Sequence, residues 1–374
     1  MFKKYFKNYK SHSYSVALAT GGTGGHIFPA IALANALDSK GIKTFFITDN
    51  RGKALIPSNY FKKVIIAETL SNKSLLIKII NVLKLKVGFL QSLHFLFLSK
   101  PNFIIGFGGY PSIGPIIAGW FLKIPSLIHE QNAIVGRANK ILSRFSLCLM
   151  YSWKNTKNLP INSLNIFTGL PVRKEFSKKF KRVPNKKFNI LILGGTQGAR
   201  IFGENIPKSI IKLPSEIRNN LFLYHQVRNE QIEKISKFYE NNKINSITKT
   251  FFNDISKIYR KADLVICRSG ASSIAELSFV GKASILIPFN KAMDNHQMEN
   301  AKLLEEINGT IIFNENHFTT NKFSNLIYQI ILDKRKRSKL EKNSTLLSNS
   351  NSTKIILNLL SNIHVNKKII GEKI

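Results

Sequence analysis

The chain has 374 residues, 44% of them apolar, with 12 prolines and two cysteines. That length exceeds what one ordinary core fills, so two globular domains are expected, and a disordered or disulfide-stapled chain is excluded. The 56 Lys and Arg against 21 Asp and Glu leave a formal charge of +35, which attracts anionic partners such as nucleic acid, anionic lipid or phosphorylated substrates.

Part of the excess is compositional, because Lys, Asn and Ile are abundant throughout, as an AT-rich genome would encode. Residues 1–172, however, hold 21 basic and only 4 acidic side chains, so the first half is expected to prefer a negative surface. Cys148 and Cys267 sit inside the apolar runs SLCLM and LVICR, which reads as core packing in a reducing, cytoplasmic compartment rather than a disulfide or metal site. Residues 1–14 are basic but lack the apolar stretch and cleavage site of a secretory signal, and read as an N-terminal extension.

From there the chain alternates short β-branched or aromatic runs with helical patterns, the signature of parallel α/β architecture. In the first half, strands are expected at 16–20, 44–48, 64–68, 102–107, 126–130 and 147–150, with helices near 28–39, 112–122 and 135–144. The segment 74–98 is long enough to span a bilayer, but Lys78, Lys84 and Lys86 near its middle would each cost roughly 2.5–3.5 kcal/mol at a membrane centre. Its Lys-interleaved Leu, Ile and Phe suit a helix lying on an anionic membrane surface, with Trp120 in the same patch. They equally suit an ordinary core helix.

A polar, charged stretch at 173–187 marks the domain change. Strands then follow at 189–193, 221–225, 247–252, 263–267, 283–287 and 310–313. The domains are expected at 15–170 and 171–352, with a C-terminal helix at 353–374 packing back on the first.

Three glycine clusters follow strands. The first strand runs into Gly21-Gly22-Thr23-Gly24-Gly25-His26, with Pro29 expected in the first turn of the next helix. Such a loop brings backbone amides and a helix dipole to a phosphate. The third glycine of a dinucleotide fingerprint is replaced by Phe28, which argues against NAD. Gly106-Phe107-Gly108-Gly109-Tyr110-Pro111-Ser112 would lie at the same carboxyl edge, where open α/β sheets bind ligands. Gly194-Gly195-Thr196-Gln197-Gly198-Ala199-Arg200 heads the second domain, so two phosphate-bearing ligands are implied. Any single cluster could be turn chemistry.

The segments GGTGGHIFPA, GFGGYPS, HEQNAIVGRANK, GGTQGAR, CRSGASSIAEL and DNHQ, in that order over about residues 15–360, resemble the MurG glycosyltransferases. The resemblance implies a GT-B fold, two Rossmann-like domains with parallel sheets facing across a cleft. It also implies inverting transfer of N-acetylglucosamine (GlcNAc) from UDP-GlcNAc to lipid I, the undecaprenyl-diphosphate-linked muramyl pentapeptide, giving lipid II for peptidoglycan. The enzyme would be peripheral on the cytoplasmic face of the inner membrane, on its anionic surface, among other cell-wall synthesis proteins.

Inverting transfer needs a base near the acceptor hydroxyl. His26 is the candidate, since imidazole titrates near neutral pH, although it could instead donate a hydrogen bond to the diphosphate. Gly24, Gly25, Gly108, Gly109 and Tyr110 are expected on the acceptor side. So are Glu130, which could be a competing base or a loop holder, and, by resemblance, Asn132. The donor is expected to meet Thr23, Asn132, Arg173, Thr196, Gln197 and Gly198, and Thr196, the amides of the second loop and Arg173 would stabilise the charge on departing UDP without a metal or cofactor. No D-x-D metal motif is present.

By resemblance Glu276 holds the ribose, and the DNHQ region with His296 and Gln297 meets the GlcNAc hydroxyls, while Asp294 could merely cap a helix. Phe252 borders the uracil, although the loop phenylalanines could equally be core, and Arg268, Ser269 and Gly270 line the diphosphate. Two departures from the family pattern stand out. Leu170 occupies the position before a proline where asparagine is common, and Val227-Arg228 replace an expected small residue and glycine.

A related epimerase or glycolipid synthase of the same fold is the nearest alternative. A nucleic-acid binder relying on charge alone is the other, and no RNA or DNA module supports it.

Overall fold

The computed structural model describes residues 14–68, 75–176, 186–195, 198–290, 292 and 295–371. The chain divides into two compact units. One runs to Arg173 and resumes at Ser350, and the other is Lys174–Asn349. The basic extension over residues 1–13, and residues 177–185 of the charged stretch, lie outside the described residues.

The N-terminal unit is built on seven parallel strands, β1 (Ser15–Ala19), β2 (Lys43–Thr48), β3 (Phe61–Val64), β4 (Phe103–Gly106), β5 (Ser126–Glu130), β6 (Cys148–Tyr151) and β7 (Asn165–Phe167). Their order across the sheet is β3-β2-β1-β4-β5-β6-β7. The central strands are short apolar runs buried on both faces, as a sheet covered by crossover helices demands. Helices α1 (Gly24–Asp38), α2 (Leu75–Ser99), α3 (Ile113–Phe121) and α4 (Arg137–Leu142) supply the cover. The C-terminal helix Ser352–Gly371 returns to this unit, where Ile356 and Leu360 are buried in one core with Val16, Leu18, Ile27 and Phe103.

The second unit has six parallel strands, β8 (Phe188–Leu193), β9 (Leu221–Gln226), β10 (Asn245–Lys249), β11 (Leu264–Cys267), β12 (Ser284–Leu286) and β13 (Ile311–Ile312), in the order β10-β9-β8-β11-β12-β13. Helix α5 (Arg200–Ile210) follows β8, α6 (Ala271–Val280) follows β11 and α7 (His296–Glu305) follows β12. Both sheets are therefore doubly wound, and the winding reverses beside the first strand of each. At that switch point the loops after two neighbouring strands diverge and leave a crevice at the carboxyl edge.

Four local expectations are corrected. Strand β3 ends at Val64 rather than spanning 64–68, because an edge strand tolerates Lys62 and Lys63 and the apolar run after it leaves the sheet. Strand β10 stops at Lys249, so Phe251 and Phe252 belong to the following loop. Strand β7, with its half-buried NIF, has no counterpart in the sequence reading. Helix α1 begins at Gly24, with Thr23 as its N-cap, so His26 sits in its first turn and Pro29 lies further inside. There proline removes an intrahelical donor instead of occupying a position where none is needed.

Candidate active site

The N-terminal site is assembled at the switch point between β1 and β4. Gly21 has no room for a side chain, because a Cβ there would come within 2.6 Å of Asp49 Oδ1 and 2.8 Å of Pro111. Asp49, buried at the end of β2, accepts hydrogen bonds from the Gly22 amide (3.0 Å) and the Gly52 amide (2.8 Å), which pins the loop to the neighbouring strand. Ser112 ties the third glycine cluster to the same edge by donating to the Ala19 and Gly108 carbonyls. Gly108 and Gly109 both have positive φ, 76° and 71°, where only glycine rests without strain. A Cβ on either would lie in ordinary contact with the His26 ring, 3.5–3.6 Å away, so the loop backbone runs beside the imidazole. Gly24, Gly25, Thr23, His26, Gly108, Gly109 and Tyr110 thus share one edge of one sheet, with Thr23 exposed and His26 half-buried.

Next along the edge, β5 ends in His129 and Glu130. The Glu130 carboxylate is buried and fully used. Its Oε1 accepts from the Asn132 amide (2.9 Å) and side chain (3.0 Å), and its Oε2 accepts from the Gly136 amide (2.9 Å) and Asn139 Nδ2 (2.8 Å). With four donors on two oxygens, Glu130 holds the loop that carries Asn132. Neither the competing-base role nor direct acceptor contact expected of it has a free lone pair behind it.

From the sequence, the polar side chains of His129-Glu130-Gln131-Asn132 are expected to face the cleft, with no role for Gln131 itself, whereas His129 and Gln131 are buried. The Gln131 side chain touches His26 Nδ1 at 2.8 Å through Oε1. Its Nε2 donates to the His129 carbonyl (2.8 Å) and lies 3.1 Å from His129 Nδ1. His129 Nε2 in turn lies 3.0 Å from the Gly169 carbonyl. Burial pushes the His129 imidazole down to about 4, so it is neutral at physiological pH.

The second site lies at the switch point between β8 and β11. Gly194 is obligatory because a Cβ would meet the Ala199 amide at 2.6 Å, and Gly198 has φ 66°. Thr196 and Gln197 lie outside the described residues, as does Asp294. After β11, Gly270 caps α6, which carries the buried Glu276. Ser269 Oγ donates to the Gln297 carbonyl (2.7 Å), Asn300 Nδ2 donates to the Ser269 carbonyl (3.1 Å), and Gln297 Oε1 accepts from the Phe289 amide (3.0 Å). Ser269 and Gln297 are thus joined beside Gly270, Glu276 lies buried on α6, and His296 opens α7 behind Asn295 in the left-handed region. Among the described residues, no cluster of three His, Cys, Asp or Glu could hold a metal ion.

Residues 16–150 match the glycosyltransferase family 28 N-terminal domain and residues 189–358 the family 28 C-terminal domain. A protein of Rickettsia bellii, named UDP-N-acetylglucosamine--N-acetylmuramyl-(pentapeptide) pyrophosphoryl-undecaprenol N-acetylglucosamine transferase, is 34% identical over 356 residues, 93% of this chain and 99% of its own. A Rhodospirillum rubrum protein of the same name is 37% identical, covering 79% of this chain and 78% of its own. The crystal structure of Acinetobacter baumannii MurG superposes with a TM-score of 0.74 at 26% identity, over 94% of this chain and all of that one.

The chain belongs to the MurG family of glycosyltransferases. Arg173 lies in the N-terminal unit, its guanidinium 4.5 Å above the Phe28 ring of α1. Two other expected contacts are differently disposed within this MurG fold. Arg268 is 7% exposed and spends its guanidinium on Glu315 (2.6 and 3.0 Å) and on the Ile287 and Pro288 carbonyls, between the Phe202 and Phe289 rings. It braces the crevice instead of offering charge to a phosphate. Phe252 is buried edge-on to Tyr224, which leaves the exposed Phe251 as the ring a base could meet. At the two departures from the family pattern, Leu170 is buried and Arg228 lies across Gly198, where a Cβ would come within 2.7 Å of its Cγ.

Proposed function

We propose that this glycosyltransferase moves GlcNAc from UDP-GlcNAc to the muramyl 4-hydroxyl of lipid I, forming lipid II with inversion at the anomeric carbon. What carries the reading is a MurG-family chain with a glycine loop at the switch point of each sheet, and a histidine in the first turn of the helix that follows the first loop. The N-terminal loop, with Gly24, Gly25, Gly108, Gly109 and Tyr110, takes the acceptor diphosphate. The second unit takes UDP-GlcNAc through Thr196, Gln197, Gly198, Ser269 and Gly270, with Glu276 on the ribose and His296 and Gln297 on the sugar. Thr23 and Asn132 meet the donor from the N-terminal side.

In the transfer, His26 takes the proton of the acceptor hydroxyl as its oxygen attacks the anomeric carbon. The bond from that carbon to the diphosphate oxygen breaks, and its electron pair leaves with UDP. The Gly195 backbone amide and the dipole of α5 stabilise the charge that develops there.

The acceptor carries a lipid, and the N-terminal unit has a surface suited to meet its membrane. Helix α2 packs one side on α3, where Gly114 lies against the Gly88 carbonyl. Its other side exposes Ile79, Leu83, Val87, Leu90 and Phe97, with Trp120 and Phe121 exposed nearby on α3. Residues 79–99 are long and apolar enough to cross a bilayer, with 22% of the window buried in the protein. The exposed Lys84 and Lys86 favour lying in the interface, where aliphatic side chains enter the acyl boundary and ammonium groups meet anionic headgroups. We place the enzyme peripherally on the cytoplasmic face of the inner membrane.

The test is incubation with labelled UDP-GlcNAc and lipid I, with separation of lipid-linked from free sugar. Label in the lipid with stoichiometric UDP release supports the reading. Epimerised free sugar with no lipid product overturns it. His26→Ala is expected to reduce kcat by ~100-fold or more while UDP affinity is retained.

A further inference from the structure

The hydrogen-bond chain behind His26 has only one consistent assignment of protons. The Gly169 carbonyl can only accept, so His129 Nε2 must carry hydrogen. Because that ring is neutral, its Nδ1 is bare and accepts from Gln131 Nε2. The Gln131 amide orientation is fixed independently, since the same Nε2 also donates to the His129 carbonyl at 2.8 Å. Its Oε1 therefore faces His26 Nδ1 at 2.8 Å, and an amide oxygen can only accept. His26 Nδ1 must be the donor. In the neutral ring, Nε2 then holds a lone pair, and among the described residues it has no hydrogen-bond partner.

The relay is rigid. Gln131 is 1% exposed and its carbonyl accepts from Trp153 Nε1 at 2.7 Å, while His129 is fully buried against the Phe107 ring. The Gly108–Gly109 backbone runs beside the His26 imidazole.

We propose that Gln131 and His129 are positioning residues that hold neutral His26 in the Nδ1–H tautomer, so that its bare Nε2 is the atom that accepts the acceptor's hydroxyl proton. This rests on His26 being the base, as in the proposed function. A histidine not so constrained favours the opposite, Nε2–H form, in which the outward nitrogen could donate but not accept. Which ring nitrogen is protonated is set by the bond the other makes. When the hydroxyl proton arrives on Nε2, the ring becomes an imidazolium, and its Nδ1–H bond to Gln131 Oε1 becomes charge-assisted and stronger. The relay therefore favours the state with the transferred proton, while no proton moves along it.

The experiment uses the full chain labelled with ¹⁵N-histidine. Two-bond proton–nitrogen correlations read the tautomer of each neutral ring, and the His26 signals are identified by their loss in His26→Asn. Expected are Nδ1–H for His26 and Nε2–H for His129. Finding Nε2–H on neutral His26 overturns the proposal.

Gln131→Met fills the volume without an acceptor. It should move His26 to Nε2–H and lower kcat by roughly 10- to 100-fold, part of the ~10²–10⁴ that a positioned base contributes, while KM for UDP-GlcNAc stays within about twofold. Gln131→Glu keeps an acceptor facing His26, with a protonated carboxyl group donating toward His129 in place of Nε2. It should retain Nδ1–H on His26 with kcat within about tenfold of the unsubstituted enzyme, which carries the test if Gln131→Met does not fold, and Nε2–H on His26 in this variant overturns the proposal. A His26→Ala enzyme that turns over normally sinks the base reading while leaving the tautomer assignment intact. An inactive His26→Ala beside a Gln131→Met enzyme of normal kcat and switched tautomer sinks this inference alone.

Discussion

Glu130→Gln separates a carboxylate that holds a loop from one that moves a proton. The substitution keeps shape and volume but turns one acceptor oxygen into an NH2 group. If that group faces Gly136 and Asn139 Nδ2, two bonds of 2.9 and 2.8 Å are replaced by opposed donors. If it faces Asn132, the bonds of 2.9 and 3.0 Å from its amide and side chain are lost instead. Hydrogen bonds to a charged group are worth ~1.5–3 kcal/mol each, and the half-exposed Asn132 can recruit water, so the cheaper orientation should cost about 2–4 kcal/mol. Both tryptophans of the chain, Trp120 and Trp153, lie in the N-terminal unit, so urea unfolding followed by tryptophan fluorescence reads that unit selectively. The expected result is a lower midpoint with unchanged slope, a raised acceptor KM and a modest change in kcat. Unaltered stability together with a kcat loss of 100-fold or more would show that Glu130 is the base and that the loop-holding account is wrong.

Arg268→Lys should destabilise the second unit by ~2–4 kcal/mol, because an ammonium cannot reproduce the two bonds to Glu315 and those to two carbonyls. Circular dichroism during urea unfolding measures this, and a change below ~0.5 kcal/mol would contradict it. Gly198→Ala forces a side chain onto φ 66° and against Arg228, and is expected to cost ~1 kcal/mol and raise KM for UDP-GlcNAc, with acceptor KM unchanged in steady-state kinetics. Burial lowers His129 to about 4 and His225 to about 3, so the unfolded chain binds the proton first as pH falls. The stability these neutral rings contribute is complete above pH ~6.5 and is lost between there and their folded values, by about 3 kcal/mol or more for each. Unfolding midpoints measured from pH 7 to 4 should fall accordingly, and His225→Phe should flatten the curve for the second unit.

The doubly wound fold was legible because its signals are local. An apolar run ending in glycines, repeated at residues 16–25 and 189–198, marks a strand, a phosphate loop and a helix start without reference to the rest of the chain. The same locality explains the errors. The run at 64–68 is more apolar than Phe61–Val64, yet the charged segment is the strand, because pairing with β2 and an edge position decide the matter and neither is encoded in local hydrophobicity. Arg268 and Glu130 were charged residues beside glycine loops, which locally reads as ligand binding. Only their partners, Glu315 in one case and four donors in the other, reveal that their charge is already engaged.

By itself, the sequence determined the order of loops and strands, the family and the identity of His26 as the candidate base, since each depends on motifs a few residues long. Tertiary structure alone decided how that histidine is poised. His26 and Gln131 are 105 positions apart, and His129 reaches Gly169 across 40. These side chains meet because the sheet sets β1, β4 and β5 side by side, an order fixed by crossover helices and not by any local pattern. Hydrogen-bond direction depends on such neighbours, so the proton on a ring nitrogen is a property of the fold rather than of the residue.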